Sequence, residues 1–146
     1  MTTTMTRDEI ETFANRFLEM WEQGDPQAFS AFYATDATVE TPMFQKAIGR
    51  EQIEHIYGET FRIFTGFKVL LDDMIVDAET GRAVVLVTAG ATQIGEVFGY
   101  PGSGKHFTLK VAFVLRFAGD LIATETRVYD FTGMLVQLGV LRAKGA

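Results

Sequence analysis

Apolar residues recur every three or four positions near the start of the chain, a spacing that predicts an amphipathic helix. Thr6 and Glu9 have the spacing of a capping box, so this helix is expected to begin directly after Thr6. Gly24 is a typical residue for its end. The apolar positions that form its predicted buried face are Ile10, Phe13, Ala14, Phe17, Leu18 and Trp21.

Two further helices are predicted before the pattern changes. Asp25 and Pro26 suit the cap and first turn of a short second helix, whose apolar face runs to Tyr33. A brief strand is predicted over residues 38–41. A third helix is predicted from residue 50 to residue 64, where apolar positions again recur at helical spacing.

The second half of the chain has the pattern of an antiparallel sheet. Apolar residues occupy every odd position of residues 107–117, which is typical of a strand with one buried face. A short apolar segment at 133–141 predicts a closing helix. Helices followed by a run of strands indicate an α+β fold, here a cone of three helices on one face of a strongly curved sheet. The predicted long strands cover residues 67–76, 82–94, 107–117 and 121–131.

Length and charge narrow the classes of function. The 146 residues make one domain, over residues 1–146, and the formal net charge of −6 disfavours binding to nucleic acid. The chain has no cysteine, which excludes disulfides and thiolate chemistry. Residues 1–5 form a short polar lead without the apolar core of a signal peptide, and no apolar run is long enough for a membrane span. A cytoplasmic protein is therefore expected.

A glycine-rich segment at residues 99–105 nearly matches a phosphate-binding loop. His106 stands where such a loop needs Ser or Thr, and a strand follows where a helix is required. A hairpin connection is therefore the favoured interpretation. The two histidines, His55 and His106, do not have the spacing of zinc ligands, so no metal site is expected.

Asp130 is the most informative single residue, because it ends the predicted last strand. Simple alternation places it on the same face as Ile122, Thr124, Thr126 and Val128, which we expect to be the inner face. Two interpretations remain open: the carboxylate caps the helical segment that contains Gly133, or it lines a cavity, where it would suit proton transfer. The opposite, half-solvated face would carry Glu125, Arg127 and Tyr129.

Several motifs together resemble the SnoaL-like polyketide or ester cyclases, a branch of the nuclear-transport-factor-two-like superfamily. The resemblance covers essentially the whole chain, and its closing motif is the most specific part. The matching segments are residues 24–37, residues 61–67, the glycine-rich strand and loop over residues 90–105, and the closing motif over residues 129–139.

The resemblance implies a cofactor-free and metal-free pocket for an apolar small molecule. It also implies that Asp130 is the general acid/base of an intramolecular aldol condensation, taking a proton from an activated carbon and later protonating the new alkoxide. Gln93 stands where the family motif usually has a histidine, and it is a candidate polar contact. Candidate wall residues, inferred from periodicity, are Phe17, Trp21, Phe61, Phe113 and Met134.

Other members of the superfamily suggest alternatives. Ketosteroid isomerases carry their base in a Val-Glu-Asp-Pro segment, whereas residues 39–42 here read Val-Glu-Thr-Pro. Their oxyanion tyrosine and second aspartate fall at Phe17 and near Phe113, so isomerase activity of that type is not expected. The Arg-x-Asp pair of the small epoxide hydrolases is also missing.

A second class of function remains open, namely a non-catalytic module for binding a small ligand or for dimerisation, because this fold hosts many functions. The resemblance also implies a homodimer formed through the outer face of the sheet. Candidate residues for that interface are Arg116, Glu125, Arg127 and Tyr129.

Overall fold

Four helices and six strands make up residues 4–142, the part of the chain described by this computed structural model. Residues 1–3 of the polar lead lie outside the described residues. None of the helices within 4–142 is both long enough and apolar enough to cross a membrane. The elements are α1 (Arg7–Gln23), α2 (Pro26–Ser30), β1 (Tyr33–Thr41), β2 (Gln45–Ile48), α3 (Arg50–Ile63), β3 (Phe64–Asp77), β4 (Arg82–Gln93), β5 (His106–Ala118), β6 (Leu121–Tyr129) and α4 (Phe131–Gln137).

Local signals in the sequence set the ends of the first helices. The Thr6 hydroxyl accepts a hydrogen bond from the Glu9 amide, and the Glu9 carboxylate accepts one from the Thr6 amide, which completes the predicted capping box. Gly24 ends α1 with a φ of 66°, a left-handed conformation that favours glycine. Asp25 caps α2 by accepting from the amides of Gln27 and Ala28.

The six strands form one sheet in the order β2-β1-β6-β5-β4-β3. All neighbours are antiparallel except β1 and β6, which are parallel. The predicted α+β cone is confirmed, with a sheet that curls without closing. Three local predictions were wrong: β2 was not expected, the second helix ends at Ser30, and the strand predicted over residues 38–41 already begins at Tyr33.

The inner face of the curled sheet packs against the helices in an aromatic core. The alternation predicted for β5 is confirmed, since Phe107, Leu109, Val111 and Phe113 are all buried. Phe17 of α1 is fully buried at 0% exposure. Its ring packs edge-on against the rings of Phe29, Phe32 and Phe113 at centroid distances of 5.4–5.8 Å.

A β-bulge in β6 changes which residues face the core. Phe117 of β5 pairs with Ile122, but Arg116 pairs with Thr124, so Ala123 is an extra residue without an opposite partner. Side chains alternate along a strand, and one extra residue therefore inverts the facing of everything that follows it.

The predicted facing of β6 was consequently wrong beyond the bulge. Ile122 is buried as expected, but Thr124, Thr126 and Val128 are exposed on the outer face, with Val128 54% exposed. Three residues assigned to the solvated face and the dimer interface instead point inward, whereas Arg116 is exposed. The inward residues are Glu125 (1% exposed), Arg127 (8% exposed) and the half-buried Tyr129.

Replacing Phe17 by alanine tests the aromatic core. Because its ring is completely buried and makes several edge-on contacts, Phe17→Ala should lower the free energy of unfolding by about 3–5 kcal/mol. The matched control is Phe98→Ala, which removes a ring that is 59% exposed and should cost about 0.5 kcal/mol or less. Urea unfolding of both variants measures this difference, and equal losses would contradict the proposed core.

Candidate functional site

An apolar cavity lies inside the cone, between α1, the inner face of the sheet and α4. Its volume is about 60 Å³. Its wall is mostly hydrocarbon because β3, β4 and β5 each present alternate apolar residues on their inner faces. The lining residues are Trp21, Met43, Phe44, Thr60, Phe64, Phe67, Val69, Ala89, Phe107, Leu109, Val111, Phe113, Arg127, Tyr129 and Met134.

The cavity brings together only part of the residues named from the sequence. Trp21, Phe113 and Met134 line it. Phe17 and Phe61 are outside the lining set: the Phe17 ring packs behind Phe113 at 5.4 Å, and the Phe61 ring lies 5.9 Å from the Trp21 indole. Periodicity identified the apolar faces correctly but did not distinguish the layer around the cavity from the layer behind it.

Gln93 is placed away from the cavity and holds the glycine-rich loop. Its Nε2 donates to the carbonyl oxygens of Gly95 and Pro101 at 2.9 and 3.3 Å, and its Oε1 accepts from the Ser103 hydroxyl at 2.7 Å. The side chain is fully buried, at 0% exposure. All of its polar atoms are therefore used in fixing the loop between β4 and β5.

A closed ring of hydrogen bonds surrounds the one cationic residue of the cavity wall. Arg127 donates from Nε to the Glu125 carboxylate at 2.8 Å and from Nη2 to the Tyr57 hydroxyl at 3.1 Å. The hydroxyls of Tyr57 and Tyr33 are 2.6 Å apart, and the Tyr33 hydroxyl donates to the other carboxylate oxygen of Glu125. Because the Tyr33 proton is used there, Tyr57 must be the donor to Tyr33.

Arg127, Tyr57, Tyr33 and Glu125 are called here the buried polar ring. Their hydrogen bonds offset the free-energy cost of burying the ion pair between Arg127 and Glu125. Burying a charge is costly unless it is paired and its remaining hydrogen-bonding groups are satisfied. Removing one member of such a pair typically costs about 3–5 kcal/mol, because the other charge is left alone. The ring joins β1, α3 and β6.

Burial and mutual contact shift the pKa values of these groups. Burial raises the pKa of Tyr33 well above its ordinary value, and the Glu125 carboxylate raises it further. Burial also raises the pKa of Tyr57, although the Arg127 charge partly offsets this. For Arg127, burial is the largest single effect and lowers the pKa, but the Glu125 carboxylate and the neighbouring tyrosines together outweigh it and raise the pKa. Arg127 is thus a permanent cation beside two protonated phenols.

The guanidinium of Arg127 is also held by aromatic rings. Its Cζ lies 5.1 Å from the centroid of the Trp21 indole, 5.5 Å from that of Tyr57 and 5.3 Å from that of Phe113. These distances are within the range of cation–π attraction. The cation is therefore fixed in position on an otherwise apolar wall, where electrostatic interactions are stronger than in water.

Asp130 is exposed and caps α4, as the first of the two interpretations predicted. Its Oδ1 accepts from the Gly133 amide at 2.8 Å. A Cβ added to Gly133 would lie 2.2 Å from Asp130 Oδ2, so only glycine leaves room for this carboxylate. Asp130 is not among the residues that line the cavity, although Tyr129 and Met134 on either side of it are.

Sequence reasoning missed the most distinctive members of the site, Glu125 and Arg127. Charged residues that alternate on a strand ordinarily indicate a solvated face, and the bulge that turns them inward involves pairing with another strand. One local signal was present, since a Glu and an Arg two residues apart lie on the same face and can pair.

Comparison with known proteins identifies relatives of this chain. The sequence model of one family, described as SnoaL-like polyketide cyclase, matches residues 11–138. A Steroid Delta-isomerase from Nocardioides simplex is 36% identical over 76 residues, which are 51% of this chain and 58% of that protein. Thr41 and Phe17 stand at the positions of the isomerase aspartate and oxyanion tyrosine. In this chain the Thr41 hydroxyl accepts a hydrogen bond from the Phe44 amide, and the Phe17 ring packs on Phe113.

Solved structures share the fold at low sequence identity. TsrD from Streptomyces laurentii aligns with a TM-score of 0.80 and 23% identity, covering 94% of this chain and 99% of that chain. A putative SnoaL-like polyketide cyclase from Jannaschia sp. CCS1 aligns with a TM-score of 0.79 and 14% identity, covering 95% and 99%. At these identities the likeness concerns the fold.

The buried phenols predict a steep loss of stability at alkaline pH. Above the ordinary tyrosine pKa of 10.0 the unfolded chain loses the protons of Tyr33 and Tyr57, whereas the folded protein keeps them. The free energy of unfolding should therefore fall as pH rises, by about 1.4 kcal/mol per pH unit for each phenol. Tyr57→Phe should remove one such contribution from the slope between pH 10 and 12.

Urea unfolding at a series of pH values measures this slope. Phe61→Leu is the control, because it disturbs the same aromatic layer without removing a phenol and should leave the slope unchanged. A slope that is the same in Tyr57→Phe and in the wild type would contradict the burial of this hydroxyl.

Proposed function

Because the chain belongs to the SnoaL-like polyketide cyclase family, we propose that it is a cofactor-independent enzyme that transfers protons on an apolar, oxygenated small molecule. The observation that carries this proposal is the Arg127 guanidinium, fixed in a cavity whose wall is otherwise mostly hydrocarbon. A preorganised cation on an apolar wall stabilises negative charge as it develops on a substrate oxygen. Removal of a proton from the carbon next to a carbonyl group requires such stabilisation, because the negative charge moves to the carbonyl oxygen.

The proposed reaction is an aldol-type cyclisation of a polyketide-like ester. A base takes a proton from the carbon next to one carbonyl, which leaves an enolate whose oxygen faces Arg127. The enolate carbon then forms a bond to a second carbonyl carbon of the same molecule, and the electron pair of that C=O bond moves to its oxygen. The protonated base returns its proton to this alkoxide. The cavity contributes by holding both carbonyls of the folded chain near each other.

We assign the acid/base role to Asp130. Its place in the sequence supports this, because it directly follows the cavity residue Tyr129 and its side chain is exposed. Capping of α4 uses Oδ1, and Oδ2 makes no hydrogen bond to the described residues. The second oxygen is therefore available to accept a proton while the first keeps the carboxylate in place.

One observation favours a second candidate, a non-catalytic module for small ligands. The Asp130 carboxylate is exposed and its described hydrogen bond is the helix cap, so its presence is accounted for by structure alone. In that case the cavity and Arg127 would bind a ligand without turning it over.

We also propose that the protein forms a homodimer through the outer face of the sheet. Several apolar side chains of β3, β5 and β6 are exposed there, including Ile75 (58%), Val114 (40%) and Val128 (54%). An exposed apolar patch of this kind is typical of an interaction surface. The interface therefore consists of outward residues rather than the inward Glu125, Arg127 and Tyr129.

The variant Asp130→Asn tests the acid/base role. Asparagine is as good a helix cap as aspartate, so the fold should be kept, while turnover of a polyketide-like β-keto ester should fall by about 10²–10⁴-fold. Ligand binding, followed by the fluorescence of Trp21, should be unchanged. Product formation is measured by liquid chromatography with mass detection.

Asp25→Asn is the matched control, because Asp25 caps α2 in the same way and lies outside the cavity lining. Its turnover should equal that of the wild type. Equal turnover in Asp130→Asn and Asp25→Asn would refute the role of Asp130. Ligand binding by the wild type with no turnover of any ester would favour the binding module.

The dimer is tested by placing charges on the outer face. The double variant Val114→Lys/Val128→Lys should shift the molar mass measured by light scattering from that of a dimer to that of a monomer. Ile94→Lys is the control, since Ile94 is 55% exposed but lies outside the strands of the sheet. A wild-type protein that is monomeric at high concentration would refute the proposal.

A further inference from the structure

One buried hydrogen-bond donor in the cavity wall lacks a partner. Nε1 of Trp21 is shielded from solvent and makes no hydrogen bond within the described part of the chain. The whole side chain is 5% exposed, and it lines the cavity. Buried polar groups in native structures nearly always have a hydrogen-bond partner. The Trp21 indole N–H is therefore expected to donate to an acceptor on a bound molecule.

A second donor of the same wall is also incompletely used. Of the five N–H groups of Arg127, those on Nε and Nη2 reach Glu125 and Tyr57, whereas Nη1 makes no hydrogen bond to the described residues. The guanidinium carbon lies 5.1 Å from the centroid of the Trp21 indole. Two other polar side chains line the cavity, Thr60 and Tyr129, and the Thr60 hydroxyl is already occupied because it donates to the Ile56 carbonyl at 2.7 Å.

We propose that Nε1 of Trp21 and Nη1 of Arg127 together bind one carbonyl oxygen of the substrate. This deepens the proposed function and rests on it, because it names the group that enters the cavity. A carbonyl oxygen has two lone pairs and can accept from both donors at once. The ligand class is therefore a ketone or ester whose hydrocarbon part packs against the aromatic wall.

The charges of the site favour a neutral oxygen over a carboxylate. The Arg127 cation is already compensated by Glu125 at 2.8 Å, and a bound carboxylate would add an uncompensated charge to a buried site. A carbonyl brings no net charge when it binds, and negative charge appears on its oxygen only during reaction. Two N–H groups already in place then stabilise that charge without reorganisation.

The buried polar ring gives the other residues a positioning role. Glu125 and Tyr57 fix Nε and Nη2 of Arg127, and the planar guanidinium then leaves Nη1 in a defined direction. Tyr33 closes the ring from β1. These residues act through Arg127 and do not need to touch the ligand.

The single tryptophan makes this site directly observable. Trp21 is the only tryptophan in the chain, so a ¹⁵N-labelled protein gives one indole N–H signal. The probes are acetophenone and α-methylstyrene, which have the same shape but carry C=O and C=CH₂ respectively. Acetophenone should move the indole proton signal downfield, as a new hydrogen bond requires, and should bind about 10- to 100-fold more tightly than α-methylstyrene.

The variant Trp21→Phe removes the donor and keeps an aromatic ring. Its affinity for acetophenone, measured by ligand-observed NMR, should fall about tenfold, while its affinity for α-methylstyrene should stay the same. Phe67→Leu is the control: it alters the wall without removing a donor and should affect both probes equally. The dispersion of the amide spectrum shows that each variant is folded, and the wild-type measurement needs no variant at all.

The inference is overturned if the two probes bind the wild type equally, or if saturating acetophenone leaves the indole signal in place. This outcome is distinct from failure of the proposed function, because binding is measured without turnover. Asp130→Asn should keep the wild-type indole shift, since Asp130 lies outside the cavity lining. Loss of turnover in Asp130→Asn without any preference for the carbonyl probe would support the enzyme and refute the carbonyl site.

Discussion

The closed ring of hydrogen bonds around Arg127 is the contact on which the rest of the interior depends. A guanidinium in a hydrocarbon core needs a counter-charge and a full set of acceptors, and Glu125 with two phenols supplies them from three elements. The relative positions of β1, α3 and β6 are thereby coupled. The same contacts fix the orientation of the Arg127 guanidinium in the cavity wall, so one set of bonds both connects these elements and positions the cation.

Most of the fold followed from local patterns in the sequence. Capping signals, helical spacing and alternation placed α1, α3 and the four long strands within a few residues of their bounds, since each of these signals acts over a few neighbours. The four-residue strand β2 was missed because it is too short to show a period. The inner and outer faces of β6 were predicted wrongly because a bulge depends on how two strands pair. That pairing cannot be read from the spacing of apolar residues in either strand.

The candidate site was predictable to a smaller extent. Trp21, Phe113 and Met134 were found because apolar periodicity identifies inward faces, but the same rule could not separate the cavity wall from the packing behind it. Gln93 shows another limit: a buried polar side chain in a motif can serve the loop beside it rather than a ligand. For Asp130 the sequence left two interpretations open, and the cap at Gly133 confirms the structural one while its catalytic role stays a proposal.

The extra residue in β6 also has an evolutionary meaning. Loss of Ala123 would place Thr124 directly after the inward Ile122, and simple alternation would then still keep Glu125 and Arg127 on the inner face. A change of one residue in the length of β6 at this point therefore leaves the charged residues of the cavity wall in place. Within such a fold, a bulge can absorb an inserted residue without exchanging the inner and outer faces of the strand, so an alignment needs a gap at the bulge to bring equivalent cavity residues into register.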